Sequence, residues 1–324
     1  MRYILKRLGV LIVTLIAISA LSFIAFQIIP GDPVTKMLGT EATPERVAEL
    51  RALLGLDRAV LIRYFEWLTS FVTGNFGMSY SYSIPVTELL GDKLVTTSFL
   101  TLIAFVLVVV ISIPAGFFLA RFSDIQGKGA AAALGRSAMT LATALNQIIM
   151  SIPPFFSGII LTYIFGLILK FFTPGAFVPW SGGAGRFLSF LIFPALAIAL
   201  PRSAMTVKML RGSIRNEMGS DYVRTAYSRG GKRLYVLIKH VARNAMIPVV
   251  TFLAMTLADI AVGSIIIEQV FAIPGTGRLL LLSISNRDYP VVQAIVVIIA
   301  SLVVAVNFLA DLAYQYIDPR IRLS

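Results

Sequence analysis

The sequence contains no cysteine and a single histidine in its 324 residues. Disulfides, thiolate metal sites and cysteine nucleophiles are therefore excluded, as is a histidine-rich metal centre. The lone His240 has no second base and no neighbouring acid, so it lacks the geometry of an acid–base site. It reads as a structural residue bonded to backbone or to the basic loop around it. Charge is also scarce, at 14% of residues, where soluble domains carry about 25%. The chain has no GxxxxGK[ST] phosphate loop, so nucleotide has no binding element here.

What is present instead is apolar. Hydrophobic residues make up 57% of the chain and the mean hydropathy is +0.86. Six apolar runs, at 8–29, 96–120, 137–169, 188–207, 245–267 and 291–313, are each long enough to cross a bilayer, which takes about 20 residues. The first exceeds a signal-peptide core and reads as a retained helix. The third is broken by Pro153-Pro154, which must kink or interrupt it. The net charge of +12 does not indicate nucleic acid, because the basic residues lie in short loops between runs, as the positive-inside rule expects. Between Arg202 and Arg243 there are ten basic and two acidic residues. That loop reads as cytoplasmic, which puts both termini in the cytoplasm. The loop 170–187, with Lys170 and Arg186 and no acid, departs mildly from the rule.

Residues 31–95 form a polar excursion on the opposite side. Thr43-Pro44-Glu45 is a helix start with an N-cap and proline at the first position. Gly55 ends that helix, Asp57 is placed to cap a second one running to Gly74, and 74–86 reads as loop. The stretch 268–290 also reads as an outer loop. Its Pro274-Gly275-Thr276-Gly277 follows no strand and is a re-entrant or capping turn rather than a nucleotide loop.

The most basic stretch, 220–248, is too polar to span. Ser220 is a plausible N-cap, Asp221 suits the positive helix end, and Gly230-Gly231 supplies a left-handed stop. At 100° per residue Tyr222, Val223, Ala226 and Tyr227 share one arc of about 140°. Arg224, Thr225, Ser228 and Arg229 fill the other. So short an amphipathic helix is marginal alone and needs a surface to dock on. Which arc meets a partner is open.

These residues carry a resemblance. Arg224-Thr225-Ala226 followed by Gly230 resembles the cytoplasmic loop motif of ABC-importer permeases, with Arg224 where the general motif has glutamate. Tyr222, Arg224, Thr225, Ala226, Gly230, His240, Arg243, Asn244 and Pro248 are similar to the version found in the dipeptide/oligopeptide/nickel permease family. GDPVTKMLG at 31–39, the 54–68 segment, 268–294 and 311–322 resemble the first-type permease subunit of that family. The resemblance implies an all-α membrane protein with six transmembrane helices and the type I ABC-importer permease fold. It divides into an N-terminal helix (1–30), a helical extracytoplasmic insertion (31–95), a five-helix core (96–318) with a cytoplasmic coupling loop (211–243), and a cytoplasmic tail (319–324).

The resemblance also implies a role. Tyr222, Arg224, Thr225, Ala226, Tyr227, Arg229 and Gly230 would form a coupling helix seated on a cytoplasmic ATPase. Partners would be a second related permease, two ABC ATPases that bind ATP-Mg, an extracytoplasmic solute-binding protein and membrane lipid, with no nucleic acid. The chain itself would hold no cofactor and catalyse nothing. The solute would be a di- or oligopeptide, with nickel or an oligosaccharide as alternatives. A self-sufficient secondary transporter would need inverted repeats, and none is evident. Asp259, inside the fifth run, is either a pathway carboxylate or a packed carboxyl between helices. Asn146 and Gln147 are pathway candidates or interhelical hydrogen-bond partners.

Overall fold

A computed structural model of the chain describes residues 2–28, 32–122 and 130–317. The tail 319–324, and Asp124 and Lys128 of the loop after the second run, lie outside the described residues. Among the described residues the regular structure is helical, apart from one isolated antiparallel bridge between Met78 and Pro85. Five helices are long and apolar enough to cross a membrane, and a sharply bent helix pair raises this to six. The chain divides into two compact units.

The first unit comprises Met1–Ser98 and Ile273–Phe308. Helix α1 (Arg2–Ile28) is followed by α2 (Pro33–Leu38), α3 (Pro44–Leu53) and α4 (Val60–Val72). Thr43 caps α3 through its side chain, which accepts from the Arg46 N–H. Helix α4 begins after Ala59 with no side-chain cap, so Asp57 does not start it. Phe23 of α1 is buried against Tyr64 and Trp67 of α4, with ring centroids 5.5 and 5.9 Å away. Helix α5 (Val86–Arg121) starts ten residues before its apolar run. The stretch expected as an outer loop at 268–290 contains α12 (Thr276–Asn286). Gly275 precedes its first turn, and Leu279, Leu280 and Ser283 bury one stripe at helical spacing. Helix α13 (Tyr289–Ile317) follows, and its residues through Phe308 belong to this unit.

Where α12 meets α13, Arg287 adopts the left-handed conformation (φ 57°). The next residue, Asp288, is fully buried. Its carboxylate accepts from the Ser79 hydroxyl and from the backbone N–H groups of Tyr80 and Ser81 at 3.0 and 3.1 Å. One side chain thus ties the irregular 73–85 segment to the start of α13.

The second unit comprises Phe99–Ala272 and Leu309–Ser324. Helices α6 (Ala130–Ser151) and α7 (Pro154–Leu161, prolonged by a π-helical turn through Ile168) meet at 104°. Pro154 holds the residue before it, Pro153, in an extended conformation (ψ 144°) and opens α7 at its first position, so the third run breaks rather than kinks. Helix α8 (Ala184–Met218) carries Pro194 and Pro201 without a break. Helix α9 (Asp221–Ser228) follows, and the chain then re-enters a helix at α10 (Arg233–Val236). A π-helical turn, Leu237–Val241, joins it to α11 (Ala242–Val270). The loop expected over 211–243 is therefore mostly the ends of two long helices, with α9 between them.

Helices α6, α7 and α11 all pack on α8. Leu191, Ile198, Leu210 and Ile214 of α8 and Val249, Ile260 and Ile267 of α11 are almost wholly buried. Glu268 is fully buried in the last turn of α11. Close approach of α5 to α8 depends on Gly116. A Cβ there would lie 2.7 Å from Cδ2 and 3.2 Å from Cβ of Leu210. Gly116→Val is expected to destabilise the protein by about 1–3 kcal/mol through overpacking, read as a lower Tm of the purified protein in detergent. An unchanged Tm would mean that the two helices part without cost.

Candidate functional site

Helix α9 is built as a small rigid knob between two long helices. Ser220 occupies the N-cap position in an extended conformation, but its side chain makes no capping bond. The C-terminal end carries the specification. Gly230 takes φ +83° and donates to the Tyr227 carbonyl at 2.9 Å, while Gly231 donates to the Ala226 carbonyl at 3.2 Å. This pair of bonds is a Schellman motif. Gly231 has no room for a side chain, since a Cβ would meet the Ala226 carbonyl oxygen and Val236 at 2.8 Å.

The open question of which arc faces outward is answered by Val223, which is fully buried. Helix α9 rests through it on α10 and the π-helical turn of its own chain. Arg224, Thr225, Ser228 and Arg229 are exposed. Thr225 and Ser228 donate back to the carbonyls of Asp221 and Arg224. Arg224 stands 3.5 Å from the Asp221 carboxylate, with both side chains largely in solvent. Ala226 is half-buried and Tyr227 is 37% exposed at the edge between the arcs. The exposed surface of α9 is therefore the polar arc with tyrosines at its margins.

Tyr222 fastens the knob to the end of α8. Its hydroxyl donates to the Glu217 carboxylate at 2.6 Å. Partial burial, and then the bond to Glu217, push the phenol above its ordinary value near 10. It therefore remains a proton donor throughout the neutral range. His240 is exposed in the π-helical turn, with its ring edge-on to Tyr235 of the same basic stretch at 5.7 Å.

The remaining candidates converge on α8. The Asn146 amide of α6 donates to the Ala204 carbonyl at 3.0 Å. Asp259 of α11 accepts from Arg202 at 2.9 Å. Both contacts fall within residues 202–204 of α8. Gln147 lies elsewhere, lining a cleft of about 610 Å³ with Arg136, Thr140, Thr143 and Arg211. There Arg211 donates to the Thr143 hydroxyl at 2.8 Å. Arg202 and Arg211 were not among the expected site residues. The available signal was Arg202 itself, the sole ionisable residue of its apolar run as Asp259 is of its own. Among the described residues no group of three or more His, Cys, Asp or Glu side chains is placed to hold a metal.

Long apolar helices, a proline-broken pair and a basic knob between two long helices define a multi-pass, all-helical membrane protein. The fold is that of a type I importer permease: an inward-facing structure of the MetNI methionine ABC transporter matches 69% of this chain and 93% of that one, with a TM-score of 0.53 at 17% identity. Family models match at residues 127–323, as "Binding-protein-dependent transport system inner membrane component", and at 1–101, as the N-terminal part of such membrane components. The chain belongs to this family of inner-membrane components of binding-protein-dependent transport systems. It is 33% identical over 320 residues to "Probable peptide ABC transporter permease protein y4tP" of Sinorhizobium fredii, covering 99% of both chains. It is also 33% identical to the dipeptide transport system permease protein DppB of Escherichia coli, again with 99% of each covered.

Proposed function

We propose that the chain is the peptide-translocating half of an ATP-driven importer, carrying di- or oligopeptides delivered by a solute-binding protein. It works with a second related permease and two cytoplasmic ATPases that bind and hydrolyse ATP-Mg, and is itself non-catalytic. Both termini and α9 face the cytoplasm, and residues 31–95 face outside. The observation that carries this reading is the seating of α9. Its polar arc is free, its apolar side is fixed by Val223, and its ends run directly into α8 and α10–α11. A push on Arg224, Thr225, Tyr227 or Arg229 is thus delivered to two spans rather than absorbed in a loop. Gln147 and Asp259 are assigned to the pathway, and Asn146 holds α6 on α8 beside it.

Peptide is favoured over nickel or oligosaccharide by the names of the full-length relatives. Membership of a binding-protein-dependent family disfavours a self-sufficient secondary transporter. The test is uptake of a labelled dipeptide into proteoliposomes holding the whole transporter. Uptake is expected to require both ATP and the binding protein, and to be unaffected by excess nickel or oligosaccharide. Inhibition by either of those solutes, or uptake without the binding protein, would overturn the assignment.

A further inference from the structure

Two membrane helices bring opposite charges together where hydrocarbon would be expected. Asp259 lies about 16 Å from Val270 and about 25 Å from Ala242, at 1.5 Å per residue along α11. Residues 245–267 contain no other ionisable side chain, and 188–207 contain none but Arg202. Their bond is single, Nη1 to Oδ2 at 2.9 Å. The pair is not packed away, since the Asp259 side chain is 56% exposed and that of Arg202 26%. On the same helix Thr256, Ser264 and Glu268 are almost fully buried, so α11 can enclose polar groups and does not enclose this one.

The surroundings repeat the pattern. Met255, Val262 and Ile266, which share the Asp259 side of α11 at helical spacing, are each about half exposed. A Cβ on Gly263 would meet nothing within 4 Å. An ionised carboxylate cannot be left against lipid tails, and such groups face a bundle interior or a water-filled cavity. The face of α8 and α11 around 202 and 259 is therefore turned away from lipid.

We infer that this face borders an aqueous translocation pathway, and that Arg202 and Asp259 are a two-ended site for a zwitterionic peptide. The site rests on the peptide reading given above. With no solute present the two side chains close on each other. A passing peptide exchanges one internal pair for two, its ammonium meeting Asp259 and its carboxylate meeting the guanidinium, whose fork suits a carboxylate. Charge balances in both states. Arg202 has the long, rotatable side chain, so opening is a swing of the arginine from a fixed carboxylate.

The absence of cysteine makes the test direct. Met255→Cys or Val262→Cys is introduced into the complete transporter in proteoliposomes and exposed to a cationic, membrane-impermeant methanethiosulfonate, with the unsubstituted transporter as background. Both positions are expected to react, and dipeptide delivered by the binding protein in the presence of ATP is expected to slow labelling at least fivefold. Adding Asp259→Asn or Arg202→Gln should remove that protection and lower dipeptide uptake at least tenfold. The exchanged pair, Arg202→Asp with Asp259→Arg, should restore uptake to within threefold. Labelling without dipeptide at the unaltered rate shows that each variant is folded. Cysteines inert at both positions would overturn the water-lined face. Protection and uptake that survive Asp259→Asn would overturn the binding site. A parent transporter that labels at both positions but imports no dipeptide would overturn the peptide reading and the zwitterion site, while leaving the aqueous face standing.

Discussion

Gly230→Pro is expected to reduce ATP-driven uptake at least a hundredfold while the protein still inserts in the membrane. Proline fixes φ near −65° and has no N–H. Gly230 sits at φ +83° and donates to Tyr227. The substitution therefore cannot keep the turn, and it removes one of the two bonds that end α9. The knob would detach from α10, and a push on its polar arc would no longer reach α11. ATP hydrolysis by the partner ATPases is expected to continue without transport. Gly230→Ala retains the N–H and meets only the left-handed cost of about 1–2 kcal/mol, so it should transport measurably. The measurement is initial dipeptide uptake normalised to permease in the membrane. Wild-type uptake by the proline variant would remove α9 from the force path.

Asp288→Ala should loosen the first unit. It leaves the buried Ser79 hydroxyl and two part-buried backbone donors without their acceptor. Unsatisfied buried donors cost about 1–3 kcal/mol each and do not add fully, so the expected loss is about 3 kcal/mol of local stability. Arg287, held in a left-handed conformation beside it, would be free to relax. Hydrogen exchange at Tyr80 and Ser81 should rise roughly a hundredfold, at about 1.4 kcal/mol per tenfold. Asp288→Asn keeps one acceptor and should fall between. Unchanged exchange in the alanine variant would show that the 73–85 segment is held by other contacts.

Some of this was readable before any coordinates, for reasons that can be stated. The stop at Gly230-Gly231 and the break at Pro153-Pro154 depend on the backbone chemistry of single residues, so they are local. The cap at Thr43 is local too. The outward arc of α9 was not readable, because both arcs were chemically plausible as interfaces. Only burial of Val223 by residues that follow in the chain decides between them. The partner of Asp259 stands 57 residues away, and no periodicity links two lone charges in separate spans. Helix α12 was hidden because a short leucine-rich stretch between two long apolar runs carries no strong period of its own. Its Gly275 start looks like a turn until the stripe of Leu279, Leu280 and Ser283 is seen buried. The length of α8 was underestimated because its last turns are polar, and hydropathy marks where a helix enters lipid, not where it ends.

The right-angled pair α6–α7 has a consequence for sidedness. Among the described residues five helices are singly long and apolar enough to cross, an odd count that would leave the two chain ends in opposite compartments. It would also separate the junction between α5 and α6, flanked by Arg121 and Arg136, from the basic stretch around α9. Only if the pair makes one net crossing does parity become even. By length α6 alone can make it, since 22 residues reach about 33 Å at 1.5 Å per residue, against a core of about 30 Å. Helix α7, turned through 104° and packed against α8 and α11, would then add no crossing of its own. With one net crossing by the pair, the break at the two adjacent prolines would leave α9 on the same side as the positive junction between α5 and α6.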